Sequence, residues 1–109
     1  LRGFNMDNPC IVIATFTPLP GRYDAVKAVL QDAIPAVHRE EGCELYALHE
    51  EVEGTLVLVE KWATRELWQA HLDLEPVARI QSGLEGLLAH DVDVREMYGV
   101  ANSSYPGSL

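Results

Sequence analysis

Two segments of this chain are apolar on both faces of an extended strand, and that constrains the fold more than any other feature. Cys10 to Thr17 reads CIVIATFT, and Thr55 to Trp62 reads TLVLVEKW. A half-buried strand alternates apolar with polar residues, whereas a run that is apolar at nearly every position needs cover on both sides. In the second segment Leu56, Leu58 and Trp62 take one face, and Val57 and Val59 take the other.

The intervening residues supply turns and helices. Pro18-Leu19-Pro20-Gly21 stops the first strand with strong breaker chemistry. From Tyr23, apolar residues recur at 23, 26, 29/30, 33/34 and 37, a helical spacing with Asp24 in the first turn. Pro35 lacks an amide donor and clashes one turn back, which predicts a kink or a broken last turn. Glu40-Glu41-Gly42 ends the helix. Cys43 to His49 forms a second strand, with Cys43, Leu45, Ala47 and His49 on one face and Glu44, Tyr46 and Leu48 on the other. Glu51-Val52-Glu53-Gly54 is a hairpin turn into the third strand. Thr64 is an N-cap for a short helix over 65–72. Glu75-Pro76 opens a further helical piece, whose stripe of Val77, Ile80, Leu84, Leu87 and Leu88 is interrupted by Gly83 and Gly86. Residues 91–99 form a fourth strand, with Val92, Val94, Glu96 and Tyr98 on one side.

The order β-α-β-β-α(α)-β predicts a ferredoxin-like α+β sandwich of two layers, spanning 9–99. In that topology helices cover one face of the sheet and leave the other bare. A bare apolar sheet exceeds the few hundred Å² that a monomer ordinarily exposes. A second copy of the chain, sheet against sheet, is the expected cover, which makes the protein a homodimer. Residues 1–5, ahead of Met6, read as an expression leftover, and 100–109 as a loose C-terminal arm.

With 109 residues the chain is one domain. Its 17 acidic residues against 8 basic ones give a formal charge of −9, which disfavours nucleic acid and anionic membrane as partners. No apolar run approaches the roughly 20 residues that span a bilayer, and the N-terminus lacks the apolar core of a signal peptide. Cys10 and Cys43 lie in separate strands and are expected as thiols in a reducing cytoplasm. CxxC, HxxxH and HExxH are all missing, so no metal site is expected.

Glu41-Gly42-Cys43 followed by Tyr46, then Glu60 two before Trp62, then Ala70-His71 with Pro76 beyond, resembles the antibiotic biosynthesis monooxygenase family. The match is nearest its small quinol-monooxygenase-like bacterial members and runs from about Pro9 to Tyr98. The resemblance implies a dimeric α+β barrel with a ligand cavity between sheet and helices in each subunit. It also implies oxidation of phenolic substrates by molecular oxygen without metal or flavin. Trp62 matches the tryptophan that borders the family's cavity. Trp68 falls where phenol-oxidising members can place a tyrosine, and Leu58 where some carry an asparagine, so two polar groups are lost. Haem-degrading relatives use a first-strand asparagine, a tryptophan matching Trp62 and a histidine on the helix after it. This first strand has no asparagine, and no histidine follows Pro76 until His90, which disfavours haem degradation.

The strand-to-helix corner from Glu60 to His71 concentrates the candidate chemistry. Trp62, Trp68, Leu58 and Tyr46 are the expected pocket for a flat ring. His71 or Glu60 is the expected base: imidazole titrates near neutrality, and a carboxylate beside indoles holds its proton more tightly. The expected activity is a cofactor-independent monooxygenase acting on a small quinol or a polycyclic phenol. The plainer alternative is a non-catalytic binding or structural dimer, in which the indoles merely fill the core. His71 then caps a helix or bonds a carbonyl, and Glu60 pairs with Arg79, with Arg95 or with Lys61 of the partner subunit. On that reading Tyr46 and Tyr98 are half-buried, His38 and His49 are solvated, and His90 lies in a loop. Glu40-Glu41 and Glu50-Glu51 are expected as solvated turns.

Overall fold

The computed structural model describes residues 8–100 and 109. The elements run β1 (Cys10–Phe16), α1 (Tyr23–His38), β2 (Cys43–Glu50), β3 (Leu56–Trp62), α2 (Arg65–His71), α3 (Glu75–Leu84) and β4 (Asp93–Tyr98). The strands form one sheet in the order β2-β3-β1-β4, with every neighbouring pair antiparallel. This is the ferredoxin-like arrangement that the element order predicts. The expected expression leftover, residues 1–5, falls outside the described residues, as does the expected arm over 100–109 apart from Val100 and Leu109.

Strict alternation in β1 and β3 builds the two faces. Cys10, Val12, Ala14 and Phe16 are buried on the helix side, as are Leu56, Leu58, Glu60 and Trp62. Val26, Leu30, Ala33 and Val37 of α1 press onto them and complete the core. The opposite face carries Ile11, Ile13, Val57 and Val59, joined by Leu45 and Ala47 from β2 and Met97 from β4. These residues are only half-covered, and Met97 is 40% exposed. At the edge of that face, the Lys61 ammonium donates to the Leu109 carbonyl at 2.9 Å.

Three local expectations need correction. Helix α1 runs unbroken through Pro35 to His38. The proline faces solvent, so the carbonyl it leaves unpaired one turn back, on exposed Gln31, lies on the wet side. Cys43 does not share a face with Leu45. An irregularity at Glu44 places Cys43 opposite Trp62 and Leu45 opposite Lys61, which turns the thiol toward the core. The Glu40-Glu41 turn is not simply solvated, because the Glu40 side chain is only 7% exposed.

Gly42 makes that turn possible. Its φ of 85° lies in the left-handed region, where a side chain is strained. A Cβ there would sit 2.5 Å from Leu67 Cδ1 and 2.9 Å from Leu67 Cβ. Its carbonyl accepts the Ala63 amide at 2.8 Å, so the turn is docked tightly on the entry to α2. Gly42→Ala is therefore expected to cost about 1–3 kcal/mol in urea unfolding, from backbone strain and the clash together. A loss under a few tenths would show that the turn yields freely.

Candidate functional site

The site begins with a buried indole. Trp62 is fully buried at the end of β3, and a buried indole N–H must find an acceptor. It finds one two residues back on the same face: Trp62 Nε1 donates to Glu60 Oε1 at 2.9 Å. Glu60 thus sits among apolar neighbours with 4% exposure. Neither Arg79 nor Arg95, the basic partners weighed within the chain, is in place, and its own Lys61 is engaged elsewhere. Arg79 faces Asp32 and Glu75, Arg95 pairs with Asp93, and Lys61 lies nearest Glu44 at 3.7 Å.

Without a cation beside it, the Glu60 carboxyl is pushed up to about 7. Desolvation is the main cause, opposed by the Trp62 hydrogen bond and reinforced by the Glu40 charge. Near neutral pH this group therefore exists in both forms.

His71 comes from the other layer. Thr64 caps α2 through its side-chain oxygen, which accepts the Leu67 amide at 3.1 Å, as the sequence predicts. The cap fixes the register that turns Trp68 and His71 inward. The His71 ring packs on Trp62 with centroids 4.6 Å apart, and it meets Tyr46 edge-on at 5.8 Å. Its Nδ1 lies 2.7 Å from Glu40 Oε1, and the two side chains are 3% and 7% exposed. His71 neither caps a helix nor bonds a carbonyl; its partner is a buried carboxylate. An imidazole whose Nδ1 donates to a carboxylate keeps Nε2 as its second polar atom.

Together these residues border a cavity of about 170 Å³ between β-sheet and helices. Leu58, Glu60, Tyr46, Trp68 and His71 line it, joined by Val12, Ala14 and Phe16 from β1 and by Val77, Ile80 and Gln81 from α3. Leu72, Val92 and Val94 also line it, and Leu72 and Val94 are 45% and 48% exposed. Trp62 stands behind the wall, holding His71 and Glu60 rather than facing the cavity. Tyr46 is not half-buried at a rim. Opposite Glu60 in the register and 3% exposed, its phenol is driven far above its usual range by burial and by the Glu60 and Glu40 carboxylates. It stays a neutral hydroxyl.

The other histidines are peripheral. His38 Nε2 lies 3.2 Å from the Tyr46 carbonyl oxygen, while His49 and His90 contact local carbonyls at exposed positions. Cys10 and Cys43 are free thiols on either side of Trp62, both pushed up by burial. Among the described residues no cluster of three or more His, Cys, Asp or Glu side chains could hold a metal ion. No described helix is long and apolar enough to cross a membrane.

Glu40 is the functional candidate that sequence reasoning missed. A signal was present: it follows the C-terminus of α1, where the helix dipole disfavours an acid. A local rule broken without compensation often marks a site.

The chain is thus a ferredoxin-like α+β domain in which an acid and an imidazole border one apolar cavity. A family model described as antibiotic biosynthesis monooxygenase matches residues 9–83, and the chain belongs to that family. It is similar to a Mycobacterium tuberculosis protein named "Putative monooxygenase Rv0793", with 37% identity over 67 residues, covering 61% of this chain and 66% of that protein. The solved structure of Rv0793 aligns with a TM-score of 0.81 at 29% identity, over 87% of this chain and 98% of that one. The crystal structure of PA3566 from Pseudomonas aeruginosa aligns with a TM-score of 0.81 at 28% identity, over 90% of this chain and 100% of that one.

The buried carboxyl makes stability depend on pH. Glu60 has its folded value raised to about 7 from an ordinary 4.5, so its contribution is fully present below about 4.5 and is lost as pH rises through about 7. The loss is on the order of 3 kcal/mol. Glu60→Gln keeps an acceptor for Trp62 and cannot ionise. Urea unfolding is expected to show the variant gaining on the wild type between pH 5 and pH 8. Parallel pH profiles would mean that Glu60 is better solvated than its surroundings indicate.

Proposed function

We propose that this chain is a cofactor-independent monooxygenase that oxidises a small quinol or phenol with molecular oxygen. The observation that carries the reading is the His71–Glu40 pair at 2.7 Å, buried beside an apolar cavity. Family membership and the name of the Mycobacterium tuberculosis relative support it. Ground-state oxygen is a triplet and reacts slowly with closed-shell molecules, so the substrate must be made electron-rich. His71 Nε2 removes the phenolic proton, and Glu40 stabilises the imidazolium that forms. The phenolate passes one electron to oxygen, and the radical pair joins through a new carbon–oxygen bond. Glu60, in its protonated form, delivers a proton to the peroxide. Breaking the oxygen–oxygen bond with loss of the ring hydrogen releases water and leaves a carbonyl. Four electrons leave the ring and four reduce oxygen, one atom of which enters the product and the other the water.

Cavity size favours the smaller of the expected substrates. A dry cavity of about 150 Å³ accepts benzene, and about 170 Å³ suits one ring better than a polycyclic skeleton. Leu58 and Trp68 give this wall no hydrogen-bonding group for extra oxygens, apart from the indole N–H. The non-catalytic alternative expects a cavity that is small, closed or filled by the two indoles. At about 170 Å³ this cavity is small, but Trp62 stands behind it and both Glu60 and His71 line it, which favours the enzyme.

Oxygen uptake with a panel of single-ring and two-ring quinols, in chelator-treated buffer, tests this reading. His71→Ala is expected to lower kcat/KM on the order of 100-fold or more. No uptake by the wild type beyond that of the Trp62→Ala, His71→Ala double variant would remove the oxygenase reading for those substrates.

We further infer a homodimer joined through the open sheet face. Ile11, Ile13, Val57, Val59 and Met97 form an apolar surface that suits self-association. Sedimentation at micromolar concentration is expected to give twice the mass of the chain, and Val59→Lys the single mass. A wild type that sediments as a stable single protomer would overturn it.

A further inference from the structure

We propose that the same cavity catalyses an oxygen-independent reaction: the shift of a proton along a small cyclic β,γ-unsaturated ketone to give its conjugated isomer. The inference rests on the assignment of His71 and Glu60 above, and it goes beyond oxidation. The oxygenation proposed above uses His71 as base and Glu60 as acid, and a base and an acid bordering one cavity are also what a carbon acid needs.

The geometry supplies both. Glu60 stands on β3 in the sheet layer, and His71 on α2 in the helix layer, so they border the cavity from opposite layers. One indole fixes both, because Trp62 stacks on the imidazole at 4.6 Å and donates to Glu60 Oε1 at 2.9 Å. Among the described residues, the second Glu60 oxygen and the Tyr46 hydroxyl have no hydrogen-bond partner, and both residues line the cavity. Glu60 and Tyr46 are directly opposite in the β2–β3 register, so they form one donor patch for a carbonyl oxygen. The imidazole is locked by Glu40 with Nδ1 occupied, which leaves Nε2 as its only basic atom. The floor is otherwise hydrocarbon from Val12, Ala14 and Leu58, which suits a ring.

In the first half of the reaction, His71 Nε2 takes a proton from the carbon between the carbonyl and the alkene. The released electron pair forms a new carbon–carbon double bond, and the carbonyl π pair moves to oxygen, which takes the Glu60 proton. In the second half, the imidazolium returns its proton at the γ carbon while the dienol O–H proton goes back to Glu60. Atoms balance, no electrons are lost, and oxygen is not consumed. Glu40 acts through His71 and is a positioning residue.

The test uses 3-cyclohexenone, a single-ring probe, in deoxygenated buffer, following the absorbance of the conjugated enone and deuterium uptake from heavy water. The wild type is expected to accelerate isomerisation over buffer, and His71→Asn to reduce this on the order of 100-fold. Glu40→Gln is expected to lower kcat at least about 10-fold with little change in KM, as loss of imidazole orientation does. Glu60→Gln is expected to remove most of the acceleration while leaving stability at pH 5 intact. Circular dichroism and urea unfolding confirm that each variant is folded. No acceleration by the folded wild type, or acceleration that survives His71→Asn, overturns the proposal. Retention of full rate in Glu60→Gln overturns the paired mechanism. Quinol-dependent oxygen uptake is run separately on the same preparations. Uptake without isomerisation removes this proposal alone, and isomerisation without uptake removes oxygenation alone.

Discussion

The indole N–H of Trp62 is the constraint on which the site depends. Burying it completely demands an acceptor, and the nearest position on its own face of β3 is two residues away. A neutral acceptor would satisfy the bond. A glutamate does so and also brings an ionisable group into the apolar layer, where it holds its proton to near-neutral pH. The same indole is the surface on which His71 rests. One aromatic ring thereby sets the position of both groups that the proposed reaction uses, without itself facing the cavity.

The second support is the tie between the α1–β2 turn and α2. Glu40 belongs to the turn and His71 to the helix, and their bond joins segments separated by 31 positions. The turn reaches α2 because Gly42 adopts a positive φ and lets Leu67 approach. Among the described residues, Oε2 of Glu40 is buried without a partner, which costs stability. In the proposed reaction Glu40 faces the imidazole that takes the proton.

Much of the fold was legible from the residues. Two-sided apolar runs in β1 and β3, breakers at Pro18-Leu19-Pro20-Gly21 and Glu51-Val52-Glu53-Gly54, the helical spacing from Tyr23 and the Thr64 cap located these elements to within a few residues. Glu60, His71, Trp68, Leu58 and Tyr46 meet around one cavity, as the strand-to-helix corner suggested. What could not be read were effects that depend on contacts distant in the chain. The irregularity at Glu44 reverses the face of Cys43, and no local pattern encodes it. Glu40 looks like any acid in a charged turn until α2 is packed over it. Trp62 and Trp68 are equivalent as letters, yet one is a support and the other a wall.

The register of β3 has a consequence for how such a protein can diversify. Leu56, Leu58, Glu60 and Trp62 serve the interior, while Val57, Val59 and Lys61, interleaved with them, serve the exterior. Two unrelated messages are thus written on alternate letters of one seven-residue word. Substitution of Val57, Val59 or Lys61 can retune the outer surface while the interior is left alone, and Leu56, Leu58 and Glu60 can drift toward a new ligand without disturbing the outer surface. A single inserted residue would exchange the two messages beyond it unless a bulge absorbed it, as the irregularity at Glu44 does in β2.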